Sequence, residues 1–128
     1  MGLLMHIWLI DDNQALLDLL VSCLDEVNVC PRAFATAQDV IYLSENLAMA
    51  PDIIVMDWTL PDLPATHLLD YLVRMYPTAR LVVMSGDFSI ESRLPYGARF
   101  LAKPFRLATF REIVMEIAAA VTEAFPSD

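Results

Sequence analysis

Short apolar runs that end in a charged or hydroxyl side chain recur along this chain, and they limit its fold more than any other feature. Three of these runs end at Asp11, Asp57 and Ser85. Apolar runs of this kind are typical of parallel strands that are buried on both faces. The sequence therefore predicts a parallel sheet with polar groups at the carboxyl ends of its strands.

Amphipathic patterns lie between the runs and predict helices. The apolar residues of the first pattern recur as they would on one helix face: Leu16, Leu19, Leu20, Cys23, Leu24 and Val27. Similar patterns predict helices over residues 37–49, 68–75 and 110–121. A weaker strand is predicted over residues 29–34, at a sheet edge because it contains Pro31, and a short strand over residues 98–102.

Strands that alternate with helices favour an α/β fold. The predicted architecture is a flavodoxin-like, doubly wound sheet of five parallel strands in the order 2-1-3-4-5, with helices on both faces. We expect residues 1–128 to form one domain, because this length suits a single core.

The charge and the cysteines exclude several function classes. The formal net charge is −9 and Lys103 is the only lysine, so direct binding to nucleic acid is not expected. The apolar start of the chain stops at Asp11, too early for a membrane span, and it lacks the basic leader of a signal peptide. Cys23 and Cys30 lack a metal-ligand spacing and suit the reducing cytoplasm, where we expect this protein to act.

Carboxylates collect at one predicted edge of the sheet. The first and third strands flank the point where strand order reverses, and their carboxyl ends carry Asp11, Asp12 and Asp57. Three neighbouring carboxylates repel one another unless a cation neutralises them, so the sequence predicts a Mg²⁺ site, with Mn²⁺ as the alternative ion. Ser85 and Lys103 end the next two strands and complete a set that suits phosphoryl transfer to a carboxylate.

Four short blocks give the chain a family resemblance: residues 10–13, 57–61, 84–85 and 103–105. Each lies at the end of its predicted strand, and together they resemble the signature of response regulator receiver domains of two-component signalling. The resemblance implies a signalling module rather than an enzyme. Such a module takes a phosphoryl group from a sensor histidine kinase or a histidine phosphotransfer protein and signals through a downstream protein partner.

The resemblance implies a role for each acidic residue of the cluster. Asp57 matches the phosphoacceptor, Asp12 a direct metal ligand, and Asp11 a ligand that acts through water. The backbone carbonyl of Thr59 matches the remaining protein ligand. Thr59 and Asp87 also match positions that flank the path of the water that removes the phosphoryl group, where Asp87 would orient that water.

The other matched residues respond to the phosphoryl group or bind it. Ser85 matches the switch hydroxyl, and Phe100 the aromatic side chain whose rotamer follows that hydroxyl. Lys103 matches the phosphate-binding lysine, and its bond to Pro104 is expected to be a cis peptide.

Two departures from the family pattern affect the loops. Ala65 stands where a glycine is usual, and with Pro64 before it the third helix is expected to begin there directly. The stretch between Ser85 and Lys103 is about one helical turn shorter than usual, so the fourth helix is predicted to be shortened, displaced or absent.

A shortened fourth helix is expected to uncover apolar surface near Phe100 and Leu101. Four residues of the stretch would cover part of it: Phe88, Ile90, Leu94 and Tyr96. A partner, or a second copy in a homodimer, would cover the rest through the region of the fourth helix, fifth strand and final helix.

Two rival functions remain. Phosphatases of the haloacid dehalogenase class also use an aspartate nucleophile with magnesium, but they need a second acid two residues later, where this chain has Thr59. The other rival is a pseudo-receiver that binds partners without phosphorylation. Such modules typically lose an acidic residue or the lysine, whereas this sequence keeps them all.

Overall fold

Five parallel strands form one sheet in the order β2-β1-β3-β4-β5, which confirms the predicted flavodoxin-like topology. The computed structural model describes residues 4–46 and 49–124, with the side chain of residue 124 excepted. The strands are β1 (Met5–Ile10), β2 (Val29–Phe34), β3 (Ile53–Asp57), β4 (Arg80–Ser85) and β5 (Arg99–Ala102). The position of β2 at a sheet edge, expected from Pro31, is also confirmed.

In residues 4–46 and 49–124, four α-helices and one 3₁₀ helix connect and flank the strands: α1 (Gln14–Cys23), α2 (Ala37–Asn46), α3 (Ala65–Met75), the 3₁₀ helix (Phe88–Arg93) and α4 (Leu107–Ala124). The 3₁₀ helix occupies the place of the fourth helix of the prediction, which is therefore shortened as expected. The third helix begins at Ala65, directly after Pro64, also as expected. Within the described residues, no helix combines the length and apolar character needed to cross a bilayer.

Alternate residues of the central strands enter two separate cores, one on each face of the sheet. In β1, Ile7 and Leu9 belong to the core on the α1 and α4 face, whereas Trp8 and Ile10 belong to the core on the α2 and α3 face. In a strand that is buried on both faces, every polar side chain needs a hydrogen-bond or ion-pair partner. This explains why the buried central stretches of the strands, residues 7–10, 53–56 and 81–84, are apolar instead of alternating with polar residues.

Two helix ends differ from the prediction. The helix α1 ends at Cys23, where the amide of Leu24 donates to the carbonyl of Val21, and Val27 is 94% exposed instead of lying on the apolar stripe. The apolar spacing continues one turn beyond the end of α1, and spacing alone does not reveal where the chain turns to form β2. Helix α2 is described as far as Asn46, and Met49, the predicted end of this helix, is not helical. Residues 47–48 lie outside the described residues. Residues 126–128, where the sequence predicts a frayed end, also lie outside them.

The 3₁₀ helix covers part of the surface that a longer helix would cover. Ile90 is completely buried, and Leu94 packs beside it as a half-buried side chain. The rings of Phe88 and Phe100 lie 5.9 Å apart between centroids, although Phe88 remains largely exposed. Tyr96 was expected to contribute, but it is fully exposed, because it lies in the turn before Gly97, whose φ is 88°.

A carboxylate from the loop after β3 caps helix α2. Asp62 accepts hydrogen bonds from the backbone amides of Ala37 (3.1 Å) and Gln38 (2.9 Å), two of the amide groups that a helix start leaves unpaired. Desolvation works in the opposite direction, but these amides and its own amide lower the pKa of Asp62. The loop that follows β3 is thereby fixed to α2.

Substitution of Asp62 by Ala is expected to destabilise the protein by about 1 kcal/mol at neutral pH, as for other lost helix caps. Because the pKa of Asp62 is lowered in the folded protein, its carboxylate stabilises the fold at pH values above the pKa of the unfolded state. This stabilisation is lost as the pH falls through the pKa of the folded state. Urea unfolding at pH 7 and near pH 3 should therefore show a smaller difference from wild type in acid. Asp70→Ala, which removes an exposed carboxylate from α3, is the control and should change stability little at either pH.

Candidate functional site

The three predicted carboxylates meet at the carboxyl end of β1 and β3. These strands are parallel neighbours with Ile10 opposite Met56, so the residues that follow them lie side by side. Asp11, Asp12 and Asp57 each direct one oxygen into a group in which all lie within 4.8 Å of one another. Asp11 is completely buried and Asp57 is 5% exposed, whereas Asp12 is exposed. The group therefore has two buried members and one that faces solvent.

Lys103 reaches the same cluster from the end of β5. Its Nζ lies 2.6 Å from Oδ2 of Asp11 and 3.4 Å from Oδ1 of Asp57. The backbone amide of Lys103 donates to the carbonyl of Ser85, and the bond from Lys103 to Pro104 is cis, as predicted. The ammonium thus joins two carboxylates that come from different strands.

The acid–base properties of the cluster follow from burial and from neighbouring charges. Desolvation raises the pKa of Asp57, the charge of Asp11 raises it further, and Lys103 and the Thr59 amide act in the opposite direction. Desolvation would lower the pKa of Lys103, but its hydrogen bond and charge interaction with Asp11 and the charge of Asp57 raise it overall. The lysine is therefore firmly protonated.

The donor set fits a hard divalent cation. One ammonium cannot neutralise three carboxylates, and two of those carboxylates are removed from water, where uncompensated charge is costly. Oxygen ligands of this kind are what Mg²⁺ prefers in proteins. The residues that would hold it are Asp11, Asp12 and Asp57, with the backbone carbonyl of Thr59 as the further ligand that the sequence suggests.

Ser85 and Phe100 lie on the two strands next to the cluster. Ser85 ends β4, directly after Met84, which is opposite Asp57, and it is buried. Its Oγ accepts a hydrogen bond of 3.0 Å from the amide of Asp87. Phe100 lies on β5 opposite Val83 of β4 and is half-buried. The structure thus brings the predicted switch hydroxyl to the same edge of the sheet as Asp57.

Asp87 has a structural task that sequence reasoning missed. Its Oδ1 accepts from the amide of Ser89 at 2.9 Å and from the hydroxyl of Ser89 at 2.6 Å, so it caps the 3₁₀ helix. The Ser89 hydroxyl is the main cause that lowers the pKa of Asp87. Asp87 and Thr59 are both exposed. A serine two residues after an aspartate was the available sequence signal for this cap.

Arg93 is a residue beside the site that the sequence did not single out. Its guanidinium carbon lies 5.8 Å from the centre of the Trp58 ring, within the range of a cation–π contact. Trp58 directly follows Asp57, and it is partly exposed. No local pattern relates the two residues, because their proximity arises only from the path of the 3₁₀ helix.

A family model described as response regulator receiver domain matches residues 7–115, which include the cluster, Ser85 and Lys103. The chain belongs to the response regulator receiver family. The predicted resemblance is thereby confirmed. The receiver is therefore a two-component signalling module.

Known receivers agree with this membership. A CheY-like receiver domain protein from Methanospirillum hungatei JF-1 is 26% identical, with a TM-score of 0.79 over 94% of this chain and 98% of that one. The receiver domain of Francisella response regulator 1452 is 18% identical, with a TM-score of 0.77 over 91% and 98% of the two chains, and shows the same fold. The DNA-binding transcriptional regulator NtrC of Proteus hauseri is 26% identical over 104 residues, or 78% of this receiver and 22% of that regulator's length.

Proposed function

We propose that this receiver accepts a phosphoryl group on Asp57, in a magnesium-dependent reaction, and signals through protein contacts. The observation that carries the proposal is the Lys103 ammonium, 2.6 Å from Asp11 and 3.4 Å from Asp57, beside the solvent-facing Asp12. A phosphoryl group needs positive neighbours for its oxygens. A carboxylate that is flanked by an ammonium and a cation-binding cluster suits that need.

In the proposed reaction, an Asp57 carboxylate oxygen attacks the phosphorus atom, and the bond from phosphorus to the donor's leaving group breaks. The product is an acyl phosphate on Asp57. Lys103 balances charge on the phosphoryl oxygens, and Asp11 holds its ammonium in place. Magnesium, when bound, would supply further positive charge to the same oxygens.

Ser85 is suited to sense the phosphoryl group. A hydroxyl has one hydrogen to donate and can accept at the same time. Since Ser85 Oγ accepts from the Asp87 amide, it can donate to a phosphoryl oxygen without losing that bond. We propose that Ser85 moves toward Asp57 on phosphorylation and that the Phe100 ring follows.

The proposed phosphodonor is a sensor histidine kinase or a histidine phosphotransfer protein, and the proposed output is a downstream protein or a second copy of the chain. We place this exchange in the cytoplasm. With a net charge of −9, direct contact with nucleic acid is not part of the proposal, although the relative NtrC is named as DNA-binding. This receiver covers 22% of that regulator's length.

The alternative function is that of a pseudo-receiver that binds partners without phosphorylation. The observation in its favour is the 3₁₀ helix of six residues in place of the fourth helix. The complete cluster and the Lys103 contacts favour the phosphoacceptor instead.

The test is incubation of the receiver with acetyl phosphate and magnesium, followed by intact-mass measurement. The expected result is a mass gain of one phosphoryl group, which is not formed when EDTA is present during the incubation. Hydroxylamine should also remove the group, because it cleaves acyl phosphates and leaves phosphate esters intact. A receiver that gains no mass with acetyl phosphate, and none with phosphorylated histidine donors, supports the pseudo-receiver.

Substitution of Asp87 by Ala is expected to lengthen the lifetime of the phosphoryl group several-fold, if this carboxylate orients the attacking water. The measurement is the decay of the phosphorylated fraction over time. Because Asp87 also caps the 3₁₀ helix, Ser89→Ala is the matched control: it weakens the cap and keeps the carboxylate. Equal decay rates in wild type and Asp87→Ala, or equal slowing in both variants, would contradict the water-orienting role.

A further inference from the structure

The 3₁₀ helix is attached to the candidate site at both of its ends. At the start, the amide of Asp87 donates to Oγ of Ser85, the predicted switch hydroxyl. At the end, the guanidinium of Arg93 stacks on the ring of Trp58, the neighbour of Asp57. One short element therefore contacts Ser85 at one end and the neighbour of Asp57 at the other, and phosphorylation would draw Ser85 and Asp57 together.

Hydrogen bonds at both ends of the 3₁₀ helix hold its residues together between these two attachments. The side chain of Asp87 accepts hydrogen bonds from the amide and the hydroxyl of Ser89. At the other end, the amide of Leu94 donates a hydrogen bond to the carbonyl of Glu91. Six residues of 3₁₀ helix span about 12 Å, at about 2 Å per residue. A displacement of Ser85 at one end is thus passed to Arg93 at the other.

Arg93 also lies at the edge of a surface groove between α3 and the end of the 3₁₀ helix. The groove is lined by Trp58, Thr66, Leu69, Asp70, Arg93 and Pro95. A change in the stack therefore alters a surface that other molecules can reach.

We propose that Arg93 is a positioning residue of the switch. Its stack on Trp58 holds the 3₁₀ helix in the unphosphorylated arrangement and is released when Ser85 moves toward the phosphoryl group. The inference rests on the proposed function, since it assumes that Asp57 is the acceptor. By linkage, a contact that stabilises only the unphosphorylated arrangement weakens the binding of a phosphoryl mimic by the same factor.

The test is binding of beryllofluoride with magnesium, a phosphoryl mimic, to the intact protein. A partly exposed cation–π contact corresponds to a factor of about two to five in an equilibrium constant, so Arg93→Ala should bind the mimic about two- to fivefold more tightly than wild type. The sign is informative, because loss of a positive charge near an anionic ligand would by itself weaken binding. Arg93→Lys keeps the charge but not the planar group, and should bind with intermediate affinity.

Two further measurements separate the stack from general effects. Arg74→Ala removes an exposed arginine from the last turn of α3, where it donates to the Asp70 carbonyl, and it should leave the affinity unchanged. The Trp58 fluorescence response to the mimic should be smaller in Arg93→Ala, because the Trp58 ring is already free of the arginine in this variant. Subtraction of the signal of Trp58→Phe removes the contribution of Trp8.

The outcomes distinguish this inference from the proposed function. If wild type binds no beryllofluoride with magnesium, the proposed function is wrong, and the role of Arg93 is wrong with it. If wild type binds the mimic and Arg93→Ala binds it equally or more weakly, only the role of Arg93 is overturned. Equal tightening in Arg74→Ala and Arg93→Ala would also overturn it, since the effect would then not depend on the contact with Trp58.

Discussion

Substitution of Asp57 by Asn is expected to abolish phosphoryl incorporation from acetyl phosphate and to leave the fold intact. The amide is nearly the same size as the carboxylate, so it fits the almost closed position at the end of β3. It lacks the anionic oxygen that attacks phosphorus. Desolvation and the charge of Asp11 raise the pKa of Asp57, so the amide also removes a charge that this environment disfavours.

Intact-mass measurement of Asp57→Asn after incubation with acetyl phosphate and magnesium gives the direct readout. Asp70→Asn, with an exposed amide on α3, is the matched control and should be phosphorylated as wild type is. Circular dichroism should show that both variants are folded. If Asp57→Asn is still labelled in a hydroxylamine-sensitive way, the acceptor is another carboxylate, and the roles assigned around Asp57 have to be moved.

The sequence predicted the grouping of the three carboxylates because all three lie at strand ends. An apolar run shows where a buried strand stops, and the doubly wound topology brings the ends of β1 and β3 together. Asp11, Asp12 and Asp57 could therefore be assigned to one cluster before any distance was known. Lys103 followed in the same way from the end of β5, although its closer contact with Asp11 than with Asp57 depends on side-chain geometry.

The features that the sequence did not predict depend on contacts between distant segments. The Asp62 cap joins a loop to the start of α2, and the Arg93 stack joins the 3₁₀ helix to the residue after Asp57. Neither pair has a spacing that marks it. Val27 has the spacing of a helix face, but the helix had already ended. The length of the segment after Ser85 predicted a short element, and only packing shows that Ile90 enters the core while Tyr96 does not.

Substitution of Asp12 by Ala is expected to weaken magnesium binding by about tenfold or more, since even outer-shell partners of metal sites typically change affinity by about 10- to 100-fold. Asp12 is the suitable target because it is exposed, so its loss should change stability by less than about 0.5 kcal/mol. Asp11 is not suitable, because it is completely buried and accepts from Lys103 and from the Asn13 amide. Its removal would leave a partly buried ammonium without its closest partner.

Calorimetric titration with magnesium measures this effect, and Trp58 fluorescence gives a second readout beside Asp57. Asp25→Ala is the matched control: it removes an equal charge from an exposed position in the turn before β2, and it should leave magnesium affinity nearly unchanged. If the cation were attracted only by the net charge of −9, its binding affinity would fall equally in both variants. A cation held at the ends of β1 and β3 loses affinity only in Asp12→Ala, because ligand oxygens within 4.8 Å of one another act as one site.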